Sequence, residues 1–330
     1  MPELPEVETI RRGLADLLPG SVVRKATVFD SPKSFPNEPA QVEQFLYGAK
    51  VTAVRRRAKV LIIDLDSKYS LVVHLKMTGQ LVFRSPSVKL ATSTTKTSHP
   101  QAGSSLIDTA GALGSPLTES QSLRSGGFGG GHPTDSLIGE LPDRSTRVEI
   151  DFSDGSKLFF NDQRKFGWVK LIPTDEIVNL PFFQKVGPEP LDPTTTSQQF
   201  IQLIRRRNGA RIKSALLDQS VVAGVGNIYA DESLWSAKIH PETRVKDLAD
   251  VDLERLFTEV KAVLQLSIDK GGSTDRNYVD AEGRRGSYLK FANVFRREGQ
   301  ACHRHPDVMI EKMKVGGRGT HICPVCQVKK

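Results

Sequence analysis

Apolar residues recur along the chain with two different periods. Between residues 5 and 18 they return at every third or fourth position, which predicts an amphipathic helix. Further along they form short runs of Val, Ile and Leu that are typical of buried strands. These runs predict strands at 22–29, 59–66, 69–75, 80–84, 147–153, 157–161 and 167–172. We therefore expect residues 1–180 to form an antiparallel β-sandwich with one helix packed against it.

The second half of the chain has a helical pattern. Its apolar positions predict helices at 199–206, 212–217, 229–236 and 248–269. The proline-rich residues 181–194 precede them and predict a linker, because proline does not continue regular elements. The predicted fold class is therefore α+β, with a mostly helical second domain over 195–292 and a cysteine-bearing module over 293–330.

One long stretch interrupts the strand pattern of the first domain. Residues 85–145 are dominated by Ser, Thr, Gly and Pro, and a glycine-rich run lies inside them. Such a composition lacks the apolar surface that offsets the entropy cost of folding. We expect a disordered insertion between two strands.

Composition and charge narrow the class of protein. The chain has 330 residues, of which 38% are hydrophobic, and a formal net charge of +8. No run of about 18 apolar residues predicts a transmembrane helix, and the amino terminus lacks the pattern of a secretory signal. We expect a cytoplasmic protein with a polyanionic partner, for which nucleic acid is the leading candidate. An ordinary basic soluble protein would have the same composition.

The three cysteines are clustered near the carboxyl terminus, and an odd, clustered number argues against a disulfide framework. Two of them form a CxxC half-site for zinc, and the third shares the same two-residue spacing with a histidine. The predicted ligands of one structural Zn²⁺ are Cys302, His305, Cys323 and Cys326. His303 and His321 are rival candidates for the histidine position.

The first residues of the chain can carry covalent chemistry. Removal of Met1 would leave Pro2 with a free secondary amine, which can attack an aldehyde-like carbon and form an iminium. Glu3 places a carboxyl group beside this nucleophile, where it can transfer protons. An ordinary chain start can have the same residues, so the rest of the sequence decides between the two interpretations.

Several polar turns carry residues suited to contact with nucleic acid. Lys59 follows a run of arginines and opens a predicted strand. Arg164 and Phe166 combine a cation with an aromatic ring on one turn, which suits insertion into a base stack. Met77 provides a flexible apolar tip, and Arg318 lies between glycines, where the chain can approach a phosphate closely. Each turn alone also fits a solvated surface.

Taken together, these segments closely resemble the bacterial formamidopyrimidine-DNA glycosylase family. The matching stretches occur in the family's order and cover nearly the whole chain outside the insertion. They are 1–9 (MPELPEVET), 56–59 (RRAK), 74–79 (HLKMTG), 161–167 (NDQRKFG), 186–191 (VGPEPL), 217–232 (LDQSVVAGVGNIYADE) and 314–326 (KVGGRGTHICPVC). The resemblance implies a β-sandwich, a helix-two-turn-helix domain and a zinc finger, with DNA held in the cleft between domains.

The resemblance also implies an activity. The protein would be a monomeric DNA glycosylase and abasic-site (AP) lyase that removes oxidised purines from damaged double-stranded DNA. Pro2 would attack C1′ of the damaged nucleotide, and Glu3 would donate a proton at the sugar. Lys59 would be the general acid and base of β-elimination. Arg318 would assist δ-elimination and bind phosphate.

A further set of residues would contact the DNA. By resemblance this set contains His74, Met77, Arg164, Phe166, Lys213, Asn227 and Tyr229. Met77, Arg164 and Phe166 would fill the gap left by the extruded nucleotide, whereas Lys213 and Asn227 would hold backbone phosphates. Residues 271–291 resemble the family's loop over the extruded base.

The sequence departs from the family pattern at two places. His305 stands where the family usually has cysteine. The insertion precedes a strand that usually carries a DNA-contacting histidine, and Arg144 and Arg147 lie there instead. We expect this contact to be lost or taken over by arginine.

Two other functions share much of this pattern. One is an endonuclease VIII-like glycosylase for oxidised pyrimidines, although the gap-filling residues favour the purine enzyme. The other is a damage-binding homologue without catalysis, against which the intact Pro2, Glu3 and Lys59 count.

Overall fold

Strands and helices form close to the positions that the apolar pattern predicts. The computed structural model describes residues 2–86, 127–132, 134–137, 139–273 and 288–329. Its strands, β1 to β11 in chain order, are Val23–Val28, Val51–Arg57, Val60–Leu65, Tyr69–His74, Gly79–Arg84, Phe128–Gly131, Thr146–Phe152, Lys157–Asp162, Trp168–Pro173, Glu311–Val315 and Arg318–Ile322. Its helices, α1 to α7, are Leu4–Leu17, Pro39–Phe45, Pro181–Lys185, Ser197–Arg205, Ile212–Leu216, Asn227–Ser236 and Asp250–Asp269. None of these described helices has the length and hydropathy that crossing a membrane requires.

The first domain is a sandwich of two antiparallel sheets, as predicted. One sheet has the strand order β1-β7-β8-β5-β6 and the other has the order β2-β3-β4-β9. Side chains from both sheets, such as Ile63, Leu81 and Phe160, share one buried core. Helix α1 adds Ile10 and Leu14 to that core. Each such side chain stabilises the fold by roughly 1.5–3 kcal/mol, so the helix is fixed on the sandwich.

The apolar pattern does not predict strand β2, because arginines occupy its last three positions. Arg55 Nε lies 2.6 Å from Asp64 Oδ2 on the neighbouring strand. Arg56 Nε lies 3.0 Å from Glu8 Oε2 of α1. The arginine run therefore forms the end of strand β2, and Arg56 also ties the first helix to the sandwich.

The expectation of disorder over 85–145 is wrong for the end of that stretch. Phe128–Gly131 forms β6 and pairs with β5 as an edge strand. Phe128 is buried against α1, where the absence of a side chain at Gly13 leaves room for the ring. Consecutive glycines have no side chains to alternate, so this strand leaves no apolar period in the sequence. Residues 87–126 of the predicted insertion lie outside the described residues.

The predicted linker contains helix α3 and is tied to the first domain. Glu189 accepts hydrogen bonds from Arg56 Nη1 at 2.8 Å and from Arg57 Nη1 at 3.1 Å. The amide of Ala58 also donates to this carboxylate. The charges of β2 therefore hold the chain where it passes between the domains.

Helices α4 to α7 enclose a second core, and the amino terminus reaches into it. Leu4 is fully buried among the apolar side chains of that core. Its amide donates to the Gly224 carbonyl at 3.1 Å. Gly224 has a φ of +83°, and a Cβ there would lie 2.5 Å from Leu4 Cδ1. A glycine turn of the helical domain thus fixes the first residues between the two domains.

Candidate active site and zinc finger

Glu3 lies in a buried pocket at the junction of the domains. Its Oε1 accepts a hydrogen bond from the Ile228 amide at 3.2 Å, in the first turn of α6. A Cβ at Gly226 would come within 2.5 Å of Glu3 Oε2, so glycine leaves the room that the carboxyl group fills. Burial raises the pKa of Glu3 to about 7, although the charge of Lys59 opposes this rise. Glu3 is therefore partly protonated at neutral pH and can donate a proton.

Lys59 is a buried cation in the same pocket. Its side chain is only 7% exposed, and Nζ donates to the Val225 carbonyl at 2.9 Å. Burial lowers the pKa of Lys59, and the charge of Glu3 opposes the shift. Ala58 has a φ of +52° and turns the chain from β2 into β3 at this point. A lowered pKa makes the neutral amine of Lys59 easier to form, which favours a role in proton transfer.

Glu6 connects the first residues to the helical domain. Its Oε2 accepts from the Glu3 amide at 2.8 Å. Its Oε1 accepts from the Tyr229 hydroxyl at 2.5 Å and from the Ser273 amide at 2.8 Å. Tyr229 is fully buried, and burial raises the pKa of its hydroxyl, which stays protonated. The expectation that Tyr229 contacts DNA is therefore wrong, because its hydroxyl holds Glu6 inside the protein.

The predicted catalytic residues meet in one cavity of about 620 Å³ between the domains. Residues on its wall include Pro2, Glu3, Lys59, His74, Met77, Asn227 and Arg318. Lys76 adds a further cation to the same wall. A concave surface lined by cations raises the local concentration of anionic ligands.

Arg318 follows a two-glycine turn at the tip of the β10–β11 hairpin, and Lys213 holds this hairpin from inside. Lys213 Nζ donates to the Gly319 carbonyl at 3.1 Å and lies 2.6 Å from Asp231 Oδ1. Both charged side chains are 0% exposed. The expectation that Lys213 holds a DNA phosphate is therefore wrong, because a buried and paired ammonium group cannot reach one. Lys213 instead contacts the hairpin that carries Arg318.

Asn227 opens α6 and lines the cavity. Its Nδ2 donates to the Gly319 carbonyl at 3.0 Å. Within the described part of the chain, its Oδ1 has no hydrogen-bond partner. Asn227 therefore helps to fix the Arg318 hairpin from the cavity side.

Met77 and Phe166 project from two neighbouring turns that Asp162 holds together. The buried Asp162 carboxylate accepts from the Phe166 amide at 2.8 Å and from the Thr78 hydroxyl. Met77 is 38% exposed and Phe166 is 54% exposed. The Arg164 guanidinium lies 4.8 Å from the centre of the Phe166 ring. The structure thus brings the three predicted gap-filling side chains to adjacent turns.

His74 lines the cavity with a mostly buried ring. Its Nδ1 accepts from the Lys76 amide at 3.1 Å. The ring packs edge-on against Trp168 and Phe182. Burial lowers the pKa of His74 to about 3. His74 is therefore neutral at physiological pH and keeps one ring nitrogen for the cavity.

The four predicted zinc ligands converge at the base of the hairpin. The ligand atoms of Cys302, His305, Cys323 and Cys326 all lie within 4.8 Å of one another. The Cys302 and Cys326 sulfurs are 3.7 Å apart, and His305 Nδ1 lies 3.2 Å from Cys326 Sγ. Tetrahedral zinc with Zn–S bonds of about 2.3 Å places its sulfur ligands about 3.8 Å apart. The set therefore fits one structural zinc ion.

Both rival histidines have other partners. His303 Nδ1 lies 3.2 Å from Asn293 Oδ1. His321 Nδ1 lies 3.2 Å from Asp231 Oδ2, and its Nε2 lies 3.3 Å from Glu298 Oε2. Among the described residues, His305 is thus the histidine that joins the cysteines.

The predicted loop over the extruded base is described only at its two ends. Ser273 donates to Glu6 from its amide and its hydroxyl, and Tyr288 is buried in the second core. Residues 274–287 lie outside the described residues.

Sequence reasoning missed three residues that organise the site. Glu6 could have been found from its spacing of three from Glu3 at a helix start, which is typical of a capping box. Gly226 lies in the family-like stretch 217–232, but its contact with Glu3 depends on the tertiary fold. Asp162 gave no signal, because a polar residue at the end of a strand normally faces solvent.

Three family models match the chain in order. The Formamidopyrimidine-DNA glycosylase N-terminal domain matches residues 1–169. The Formamidopyrimidine-DNA glycosylase H2TH domain matches residues 186–278. The zinc finger found in FPG and IleRS matches residues 308–328.

Curated relatives match over their whole length. The formamidopyrimidine-DNA glycosylase of Pelotomaculum thermopropionicum is 36% identical over 330 residues, which cover 100% of both chains. That of Pediococcus pentosaceus is 37% identical over 328 residues, which cover 99% of both chains. The insertion therefore does not prevent end-to-end alignment with these relatives.

Solved structures share the fold. Lactococcus lactis Fpg in complex with DNA containing an abasic site has a TM-score of 0.77 at 29% identity, covering 99% of this chain and 100% of that chain. MutM in complex with DNA containing carbocyclic 8-oxo-G has a TM-score of 0.75 at 30% identity with the same coverage.

The fold and the site are those of a DNA glycosylase of base excision repair that carries a zinc finger. The three domain models and the full-length relatives show that this chain belongs to the formamidopyrimidine-DNA glycosylase family.

Proposed function

We propose that the protein is a bifunctional DNA glycosylase and AP lyase that removes oxidised purines, such as 8-oxoguanine and formamidopyrimidines, from duplex DNA. The observation that carries this proposal is the convergence of Pro2, Glu3, Lys59 and Arg318 in one cationic cavity. Similar proteins have been solved with DNA that contains 8-oxo-G or Fapy-dG.

Base removal begins at Pro2. With Met1 removed, the proline nitrogen attacks C1′ of the extruded nucleotide as the bond from C1′ to the base breaks. The electron pair of that bond leaves with the base, which takes up the proton lost by the attacking amine. Glu3, with a pKa of about 7, then protonates the ring oxygen O4′ as the C1′–O4′ bond opens. The nitrogen lone pair forms the double bond to C1′, which gives an iminium.

Strand cleavage follows from the iminium. Lys59 removes a proton from C2′, and the C3′–O3′ bond breaks with departure of the 3′ phosphate. The lowered pKa of Lys59 makes its neutral amine available for this step. Arg318 at the hairpin tip pairs with phosphate and assists a second elimination, which releases the 5′ phosphate.

The exposed turns support extrusion of the damaged nucleotide. Taking a base out of the duplex costs a few kcal/mol. Met77, Arg164 and Phe166 would offset that cost by occupying the vacated space in the base stack. Asn227 and the cations of the cavity would hold the backbone, which makes binding dependent on salt.

We further propose that the protein acts as a monomer in the cytoplasm. The catalytic domain would span 1–180, the helix-two-turn-helix domain 195–292 and the zinc finger 293–330, with a linker over 181–194. The family models for these domains, at 1–169, 186–278 and 308–328, support this division.

Borohydride trapping on an 8-oxoguanine duplex tests the proposed chemistry. The wild type should form a covalent adduct with this duplex and none with an undamaged duplex, and its intact mass should show loss of Met1. Pro2→Gly should trap poorly, since a primary amine replaces the proline nitrogen and its ring. Equal trapping by Pro2→Gly would contradict the mechanism. Faster excision of thymine glycol than of 8-oxoguanine would support the pyrimidine alternative.

A further inference from the structure

Strand β6 brings His132 into the catalytic cavity. Gly131 pairs with Gln80 of β5, and the His132 amide donates to the Gly79 carbonyl at 3.1 Å. The Gln80 side chain donates to the His132 carbonyl and, at 2.6 Å, to Thr134 Oγ1. The backbone on both sides of His132 is therefore fastened to β5, the strand that follows the Met77 turn.

Gly131 permits this arrangement. Its φ is +124°, a conformation that residues with a side chain rarely adopt. A Cβ at this position would collide with the Gly79 carbonyl oxygen. The glycine thus lets the inserted strand end in close contact with β5 and deliver His132 to the cavity wall.

The imidazole of His132 is placed to recognise a ligand in the cavity. His132 shares the cavity wall with Pro2, Met77 and Lys76. Burial lowers its pKa, so the ring is neutral at physiological pH and offers one donor and one acceptor. Among the described residues, the hydrogen bonds of His132 are those of its backbone. The ring therefore has donor capacity to spare on a wall whose cations attract phosphate.

Two arginines, Arg144 and Arg147, were candidates to replace the family's DNA-contacting histidine, and neither lines the cavity. Arg147 is 4% exposed, and its Nε donates to the Asp162 carbonyl at 2.8 Å. Arg144 is exposed and does not line the cavity. The expectation that Arg147 takes over a DNA contact is therefore wrong. Among the described residues of the insertion, Gly131 and His132 line the cavity, and His132 is the one with a side chain.

We propose that His132 is a DNA-contacting residue, whose imidazole donates a hydrogen bond to a backbone phosphate beside the extruded nucleotide. This inference rests on the proposed function. It assigns a binding role to the end of the inserted segment, which supplies a side chain to a cavity otherwise built by the sandwich, the helical domain and the zinc finger.

The test compares His132→Ala, His132→Gln and Arg144→Ala. The probe is a duplex with a tetrahydrofuran abasic analogue, which binds without being cleaved. A hydrogen bond to a charged group contributes about 1.5–3 kcal/mol, so His132→Ala should raise Kd by about tenfold or more. His132→Gln keeps an N–H donor and should recover part of the loss. Arg144→Ala, from the same segment, should bind within about twofold of wild type.

The salt dependence of binding distinguishes a neutral hydrogen bond from a charge contact. Adduct trapping distinguishes a role in DNA binding from a role in bond breaking. A neutral imidazole releases no counterion, so the slope of log Kd against log salt should be unchanged in His132→Ala. Lys76→Ala should reduce that slope. Adduct formation at saturating 8-oxoguanine duplex should stay within about threefold of wild type, because His132 takes no part in bond breaking.

A neutral methylphosphonate in place of single phosphates identifies the contacted group. At the contacted phosphate, the losses from methylphosphonate and from His132→Ala should not add, since each removes the same hydrogen bond. Unchanged Kd in His132→Ala, or additive losses at every phosphate, would overturn the inference. So would unchanged Kd with lost trapping, which would place His132 in the chemistry. Absence of an adduct with the wild type would instead contradict the proposed function.

Discussion

Glu3 occupies the space that a side chain at Gly226 would fill. A Cβ at residue 226 would come within 2.5 Å of Glu3 Oε2 and would also overlap the carboxyl carbon. The proposed proton donor and the turn of the helical domain are therefore fitted to each other across the domain junction.

Gly226→Ala should displace Glu3. We expect a loss of about 1–3 kcal/mol in the free energy of unfolding, which is typical of overpacking, and a larger relative loss of base excision. Urea unfolding and single-turnover excision of 8-oxoguanine measure the two effects. Gly209→Ala is the matched control, because no atom lies within 4 Å of a Cβ there. Wild-type excision by Gly226→Ala would contradict the fitted arrangement.

The rate of iminium formation should fall as pH rises above neutrality. Because burial raises the pKa of Glu3 to about 7, the donor proton is present below that pH and is lost above it. We expect single-turnover formation of the borohydride-trapped adduct to slow by up to about tenfold per pH unit on the alkaline side, because Glu3 protonates O4′ in the step that forms the iminium. Glu3→Gln should form the iminium slowly, and its rate should not decrease with pH on the alkaline side. A flat wild-type profile from about pH 6 to pH 9 would remove Glu3 as the donor.

Lys59→Gln should separate base removal from strand cleavage. Loss of a positioned acid or base costs roughly 10²–10⁴ in rate, so we expect cleavage to fall by that factor with a smaller effect on base release. Gel analysis with and without alkali distinguishes the abasic product from the cleaved strand. Lys68→Gln, an exposed lysine on a turn, is the control. Equal loss of both steps would instead place Lys59 in base removal.

His305→Ala should remove the structural zinc. We expect about one zinc per chain in the wild type and in His303→Ala, and much less in His305→Ala, by elemental analysis after dialysis. The δ-elimination product should fall with zinc content, since the Arg318 hairpin lies between the two half-sites. Full zinc retention in His305→Ala would show that another residue supplies the fourth ligand.

Asp231→Asn should loosen the Arg318 hairpin. Removing one charge of a buried ion pair typically costs 3–5 kcal/mol, and here it leaves the Lys213 ammonium without the carboxylate charge that lies 2.6 Å away. We expect a lower free energy of unfolding and a smaller ratio of δ- to β-elimination product. Asp250→Asn breaks the exposed pair with Arg205 and should cost less than about 1 kcal/mol. An unchanged product ratio would show that Lys213 does not position Arg318.

The sequence predicts most of the fold because most strands and helices have clear apolar periods. The prediction fails at β2, which ends in three arginines, and at β6, whose glycines give no alternation of apolar and polar side chains. The family-like motifs predict that Pro2, Glu3, Lys59 and Arg318 share one site, and all four line the same cavity. A short motif does not show whether its side chains are buried. Lys213 and Tyr229 were expected to contact DNA, but both side chains are buried inside the protein.

Burial of Leu4 in the helical core has a consequence for biosynthesis. The core that encloses Leu4 is built mostly from residues between 200 and 288, which leave the ribosome long after the amino terminus. Once that core closes, Pro2 is buried as well. We therefore expect Met1 to be removed most readily before the domains close, and a chain that keeps Met1 would lack the free Pro2 amine that the proposed chemistry needs.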